Sequence, residues 1–185
     1  MGMGEPFNNF SEVRDALVMI TDMIGYSKRR ITVSTSGIVP GIKRLADEGP
    51  DVNLAISLNA STDKIRTRIM PINKKYPLEK LMKACREFPL APRGRITFEY
   101  VLIGGVNDAP EDAERVADLL KGIRSKVNLI PYNPVDPSTV LKKPSEGRVL
   151  KFQGIINNAG ITTIIRKSKG SDISAACGQL KAGYE

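Results

Sequence analysis

The chain has 185 residues, a hydrophobic share of 41% and a formal net charge of +8. That is enough for one domain with a sizeable core, and the charge suits a polyanionic partner such as nucleic acid as well as it suits a merely basic surface. Two cysteines and no histidine exclude a disulfide framework, His-based triads, His metal sites and a cysteine-ligated cluster or zinc site built from this chain alone; a metal set is therefore expected to be absent from it.

Along the chain, strand-like and helix-like runs alternate. The opening "MGMGEP" reads as a loop that comes after a strand, yet no strand precedes it. "SEVRDALVMITDMIG" predicts a helix with Val13, Leu17, Ile20 and Ile24 on one face, Ser11 as candidate N-cap and Gly25 as stop. "RITVSTSG" predicts a strand, and a short helix follows Pro40 with Ile42, Leu45 and Ala46 inward. "NLAISLNA" predicts the next strand, and "PLEKLMKACREF" a helix burying Leu78, Leu81, Met82 and Cys85. "RITFEYVLIGG" is followed by a helix from candidate cap Asp108, and "KVNLIPYNP" by a helix with Val149, Phe152 and Ile156 inward. "ITTIIRKS" is the last strand. Such alternation implies a mostly parallel sheet with covering helices, and the apolar strand runs imply cover on both faces. No signal peptide or apolar run of spanning length occurs in the sequence, so the cytoplasm is the default location and no membrane partner is expected.

In parallel α/β folds, ligands sit at the carboxyl ends of the strands. Four successive ends are rich in hydroxyls, amides and glycines: Ser34-Thr35-Ser36-Gly37, Ser57-Leu58-Asn59-Ala60, Gly104-Gly105-Val106-Asn107-Asp108 and Pro131-Tyr132-Asn133-Pro134. Any one of them is ordinary turn chemistry; the series favours a polar ligand. Glu5 in "GEP" adds an acceptor for an ammonium group. Cys85 reads as a core residue. Cys177, in "SDISAACGQL", reads on chemistry alone as a loop thiol of open role. Basic groups cluster at Lys28-Arg29-Arg30, Arg66 with Arg68, Lys74-Lys75, Arg93 with Arg95, and Arg166-Lys167 with Lys169, as a solvated face or as a partner surface.

The motifs "GMGEP", "SKRRITVSTSGIVP", "LAISLNA", "PINKKYPLE", "VNLIPYNP" and "IRKSKGSDISAACGQL" run in this order along nearly the whole chain. The chain thereby closely resembles the C-terminal part of the radical S-adenosylmethionine (SAM) 23S rRNA adenine methyltransferases, dual-specificity enzymes that also act on tRNA; Cfr-type C8 methyltransferases share the motifs. The resemblance implies the C-terminal portion of a partial (β/α) radical SAM barrel over residues 1–185. It implies that Gly4, Glu5, Ser34, Ser57, Leu58, Asn59 and Asn133 bind SAM, with Asn59 standing where the family usually has histidine. Cys177 matches the cysteine that is methylated during turnover.

By that resemblance one SAM methylates the Cys177 thiolate, and a second is cleaved by a reduced 4Fe–4S cluster to a 5′-deoxyadenosyl radical. The radical takes a hydrogen from the S-methyl group, the new carbon radical adds to adenine C2, and a second cysteine resolves the protein–RNA link. Implied partners are 23S rRNA, tRNA and an external reductant. The family's CxxxCxxC cluster loop, resolving cysteine and small N-terminal RNA-binding domain find no match in these 185 residues. The expectation is a fragment that is silent in isolation and self-associates through an open barrel edge. Rival readings are a Cfr-type C8 enzyme, a non-catalytic RNA-binding fragment, and a small α/β enzyme for an anionic metabolite with Glu5 or Glu99 as base.

Overall fold

In the computed structural model, residues 4–134 and 140–166 are described. They form one parallel five-stranded sheet whose spatial order is the chain order: β1 (Thr32–Thr35), β2 (Asn53–Ser57), β3 (Ile96–Leu102), β4 (Ser125–Pro131) and β5 (Thr162–Ile165). Each predicted strand run matches one of these strands, with β4 starting one residue before its run. The helices are α1 (Phe10–Val18), α2 (Val39–Glu48), α3 (Asp63–Ile69), α4 (Leu78–Glu87), α5 (Pro110–Leu120) and α6 (Glu146–Asn158). Parallel connections are right-handed, so strands laid down consecutively in one direction put every crossover helix on the same face. This is barrel winding, not the reversing order of a doubly wound sheet.

Side chains alternate between the two faces. Val33, Leu54, Ile56, Phe98, Tyr100, Val127 and Leu129 share the helix-covered face and join the core. The register sets Ser57 beside Glu99 and Glu99 beside Asn128 on the other face. The expected cover on both faces is therefore corrected: one face is apolar and covered, and the other is polar, with Ser34, Ser57 and Asn128 half-buried. In a closed barrel that second face is the interior.

Three local expectations also change. Ser11 is exposed inside the first turn of α1, whose cap is Asn9. Beyond Val18 the helix continues as a π turn, Met19–Met23. The wider turn rotates the side chains beyond it, so Thr21 is buried while Ile24 is 67% exposed. Asp108 does not cap α5; its carboxylate accepts from the Gly105 N–H (2.9 Å) and Ala109 holds the cap position. No sequence pattern predicts α3, because its inward position belongs to Arg66 and no apolar stripe marks it. Cys85 is a core residue as expected, 1% exposed, with burial pushing its thiol up to about 12. No helix among the described residues is long and apolar enough to cross a membrane.

Candidate functional site

The Glu5 carboxylate caps the 3-10 turn Pro6–Asn9 and closes the carboxyl end of β1. One oxygen accepts from Thr35 Oγ1 at 2.7 Å and from the Phe7 N–H at 3.3 Å. The other accepts from both the N–H and the Oγ of Ser36, each at 2.7 Å. Four donors thus fix the carboxylate, as many as its lone-pair sites. Two are hydroxyls, which turn about a single bond, so an arriving ammonium can take a place on the carboxylate while they accept from it. Gly4 precedes it at φ +116 with open space around its Cα, a conformation that suits glycine.

The next strand end is held as tightly. Leu58 N–H (2.9 Å) and Asn59 N–H (3.3 Å) both donate to the Glu99 carbonyl. Asn59 is left-handed, φ +57. Its Oδ1 accepts from the Val101 N–H (2.9 Å), its Nδ2 lies 3.2 Å from Met70 Sδ, and its carbonyl accepts from Asn107 Nδ2 (2.8 Å). Asn107, fully buried, also bonds the Val101 carbonyl, the Ile103 N–H and the Tyr100 hydroxyl. The Leu58 side chain is in the core. Ser57 and Ser34 are half-buried on the polar face, and Asn133 is half-buried just past β4. Cys177 lies outside the described residues.

Beneath these loops sits Arg66, 0% exposed. Its Nε donates to the Leu58 carbonyl (3.0 Å), its Nη2 to the carbonyls of Ser36 (2.7 Å) and Ser57 (3.1 Å), and its Nη1 to Asn73 Oδ1 (3.0 Å). Desolvation lowers its pKa to about 10, against the pull of Asp63. Arg66 therefore leaves the basic surface cluster in which the sequence placed it. Gly37 adapts to it: φ is +105, and a Cβ there would meet Arg66 Nη2 at 3.1 Å and Leu81 at 3.2 Å. Gly104 serves a backbone neighbour, since its N–H donates to the Lys142 carbonyl (2.8 Å) and a Cβ would meet the Lys143 carbonyl oxygen at 2.9 Å. These two glycines accommodate protein rather than ligand.

Glu99 lies on the polar face, 8% exposed, with Arg166 at 3.8 Å. Other basic groups gather at the opposite end of the sheet. Arg29, Arg93 and Arg95 border a cavity of about 520 Å³ beside Asp51 and Asn53, before the strands begin. Among the described residues, no group of three or more His, Cys, Asp or Glu side chains fits a metal ion. Buried Cys85, its thiol kept protonated, does not fit an iron–sulfur cluster, and the chain's two cysteines are too few to ligate one.

Residues 1–120 match the sequence profile of the radical SAM superfamily. A dual-specificity RNA methyltransferase RlmN from Syntrophobacter fumaroxidans is 55% identical over 186 residues, which is 100% of this chain and 54% of the relative. One of the same name from Anaeromyxobacter dehalogenans is 53% identical, covering 98% of this chain and 49% of the relative. The chain thus spans about half the length of the curated relatives it matches. The crystal structure of a radical SAM methyltransferase from Sphaerobacter thermophilus superimposes with a TM-score of 0.87 at 46% identity, over 97% of this chain and 53% of that one. A domain of a pyruvate-formate lyase-activating enzyme from Bacteroides vulgatus shares the fold, with a TM-score of 0.68 at 17% identity.

Proposed function

Since this chain belongs to the radical SAM superfamily, we propose that it is the SAM-binding, C-terminal part of an RNA methyltransferase that modifies C2 of adenosine in 23S rRNA and tRNA. Residues 1–185 are then the truncated barrel domain. The observation that carries this reading is the Glu5 carboxylate, fixed by Thr35 and Ser36 at the end of β1, within a chain 55% identical throughout to a dual-specificity RNA methyltransferase. In this reading Glu5 takes the SAM ammonium, and Gly4 lets the backbone approach it. Ser34, Ser57 and the Leu58–Asn59 turn line the same mouth, and Asn133 closes it past β4. Leu58 contributes only main chain, because its side chain is core.

Adenine C2 is electron-poor and cannot displace the SAM methyl group itself. The methyl is therefore carried on Cys177, whose thiolate accepts it from SAM by displacement; SAM leaves as S-adenosylhomocysteine and the thiolate supplies the electron pair. Superfamily membership implies a 4Fe–4S cluster and a reductant for the later transfer to the base, and this chain has no ligand set that fits the cluster. Alone it is accordingly silent in RNA methylation. Basic side chains meet RNA phosphates through salt-dependent contacts, and the target base has to leave its stack.

Calorimetry with SAM tests the site: binding that is weakened by Glu5→Gln supports the reading, and binding of a nucleotide or sugar phosphate in place of SAM defeats it. Salt-dependent RNA binding with no SAM binding would favour the non-catalytic fragment. Product analysis on a cluster-bearing enzyme that contains these residues separates C2 from C8.

A further inference from the structure

We infer that Arg66 is a positioning residue of this site: it locks the ends of β1 and β2 to each other and, through Ser36, sets the Glu5 carboxylate. The inference rests on the proposed SAM site. Three carbonyls from two strand ends, Ser36, Ser57 and Leu58, converge on one guanidinium. The fourth contact, Asn73, is 2% exposed and is itself held by the Asp63 carboxylate (2.9 Å) and Thr67 Oγ1 (2.9 Å). Asp63 also accepts from the Leu78 N–H that opens α4. Arg66 is thus aimed from behind by α3, the 3-10 turn Pro71–Lys74 and α4.

Among the described residues no carboxylate lies within ion-pair distance of Arg66, so every hydrogen bond it makes goes to a carbonyl oxygen, with Asp63 acting only from a distance. Burying a cation that way is costly. A neutral donor would satisfy one carbonyl more cheaply. What only a planar fork of fixed N–H directions can do is hold three carbonyls from two strand ends in one geometry. The two peptide units that meet at the Ser36 Cα carry that geometry onward: the carbonyl of one is on Arg66 and the N–H of the other is on Glu5. Gly37 has given up a side chain to make the room.

The test uses SAM calorimetry and site-resolved amide exchange on the 185-residue chain. The variants are Arg66→Lys, Glu5→Gln, both together, and Ile156→Val as a core change on α6 away from the site. Arg66→Lys keeps the charge and loses the fork. It is expected to weaken SAM binding by roughly tenfold or more, while Ile156→Val leaves binding unchanged at a matched loss of melting temperature. Because both residues act through Ser36, the double variant is expected to bind about as weakly as the worse single variant. The amides of Ser36, Leu58 and Asn59 should lose protection together in Arg66→Lys only.

SAM affinity within about twofold of the parent in Arg66→Lys, or losses that multiply in the double variant, would overturn the inference. If the parent chain binds no SAM, the SAM reading fails, and the exchange data still decide on Arg66: joint loosening of the two strand ends supports it, unchanged protection defeats it. Should Arg66→Lys not fold, Gly37→Ala, which crowds the same guanidinium, takes its place under the same two outcomes.

Discussion

Glu5 and Arg66 do not touch, yet both bind Ser36: the carboxylate takes its N–H and Oγ at 2.7 Å, and the guanidinium takes its carbonyl at 2.7 Å. One residue stands between an anion and a cation: the anion holds the peptide unit it shares with Thr35, and the cation holds the unit it shares with Gly37. Glu5→Gln keeps the size and removes the charge and one acceptor oxygen. It should weaken SAM binding about tenfold and cost about 1–2 kcal/mol of stability. Calorimetry and urea unfolding read the two effects separately, and an unchanged SAM affinity would remove Glu5 from the site.

Two glycine substitutions should have opposite signs. Gly37→Ala meets a φ of +105 and crowding by Arg66 and Leu81, and should destabilise by about 1–3 kcal/mol. Gly147→Ala, at an exposed position of α6 with nothing within 4 Å, should stabilise by up to about 1 kcal/mol. Urea midpoints of the two variants decide; equal shifts would mean that the Arg66 pocket is slack.

Burial raises the Cys85 thiol from 9.0 to about 12 and shifts the Tyr100 phenol upward as well. Between those thiol values the folded chain keeps a proton that the unfolded chain has released. Stability from this group is therefore complete below about pH 9 and is lost as pH rises toward 12, by up to about 1.4 kcal/mol per pH unit. Urea unfolding at pH 8, 9 and 10 should show the decline, and Cys85→Ala should flatten it, leaving the Tyr100 share. An identical slope in Cys85→Ala would contradict the assignment.

Asn59 combines a left-handed backbone with a side-chain acceptor for the Val101 N–H. Asn59→Ala keeps the strain and orphans that N–H, at about 1–3 kcal/mol. Asn59→His restores an acceptor and should stay within about 1 kcal/mol of the parent. Thermal melts of the pair test this; a histidine variant as unstable as alanine would show that ring size, not acceptance, governs the position.

The π turn leaves Met19, Met23, Ile24 and Tyr26 more than half exposed within eight residues. Apolar surface of this kind promotes association. The chain should self-associate with concentration, and Met23→Lys with Ile24→Lys should reduce it. Light scattering across a dilution series is the measurement, and a monomer at every concentration would count against an open apolar flank.

Five strands and their polar ends are legible in the sequence because apolar runs stop at Ser, Asn, Gly or Pro. The helix α3 is not, since periodicity marks a core by its apolar residues and Arg66 occupies the core as a hydrogen-bond hub. For the same reason Arg66 reads as surface charge beside Arg68. Gly37 and Gly104 read as openings for a ligand; the groups that approach them are a guanidinium and a carbonyl from elsewhere in the chain, which no local pattern encodes. Ser11 misleads because the 3-10 turn Pro6–Asn9 runs straight into α1 and starts it at Phe10, and Ile24 misleads because a single π turn breaks the 3.6-residue rhythm. The polar face is present in the alternation of Ser34, Ser57 and Asn128, but the apolar residues between them dominate the pattern.

Among the described residues each strand pairs only with its predecessor and successor in the chain. Such a sheet grows like a fan unfolding blade by blade: every added strand and helix needs only the previous one as its template. Loss of a blade from one side of such a fan would sacrifice a single seam and leave the remaining registers as they were.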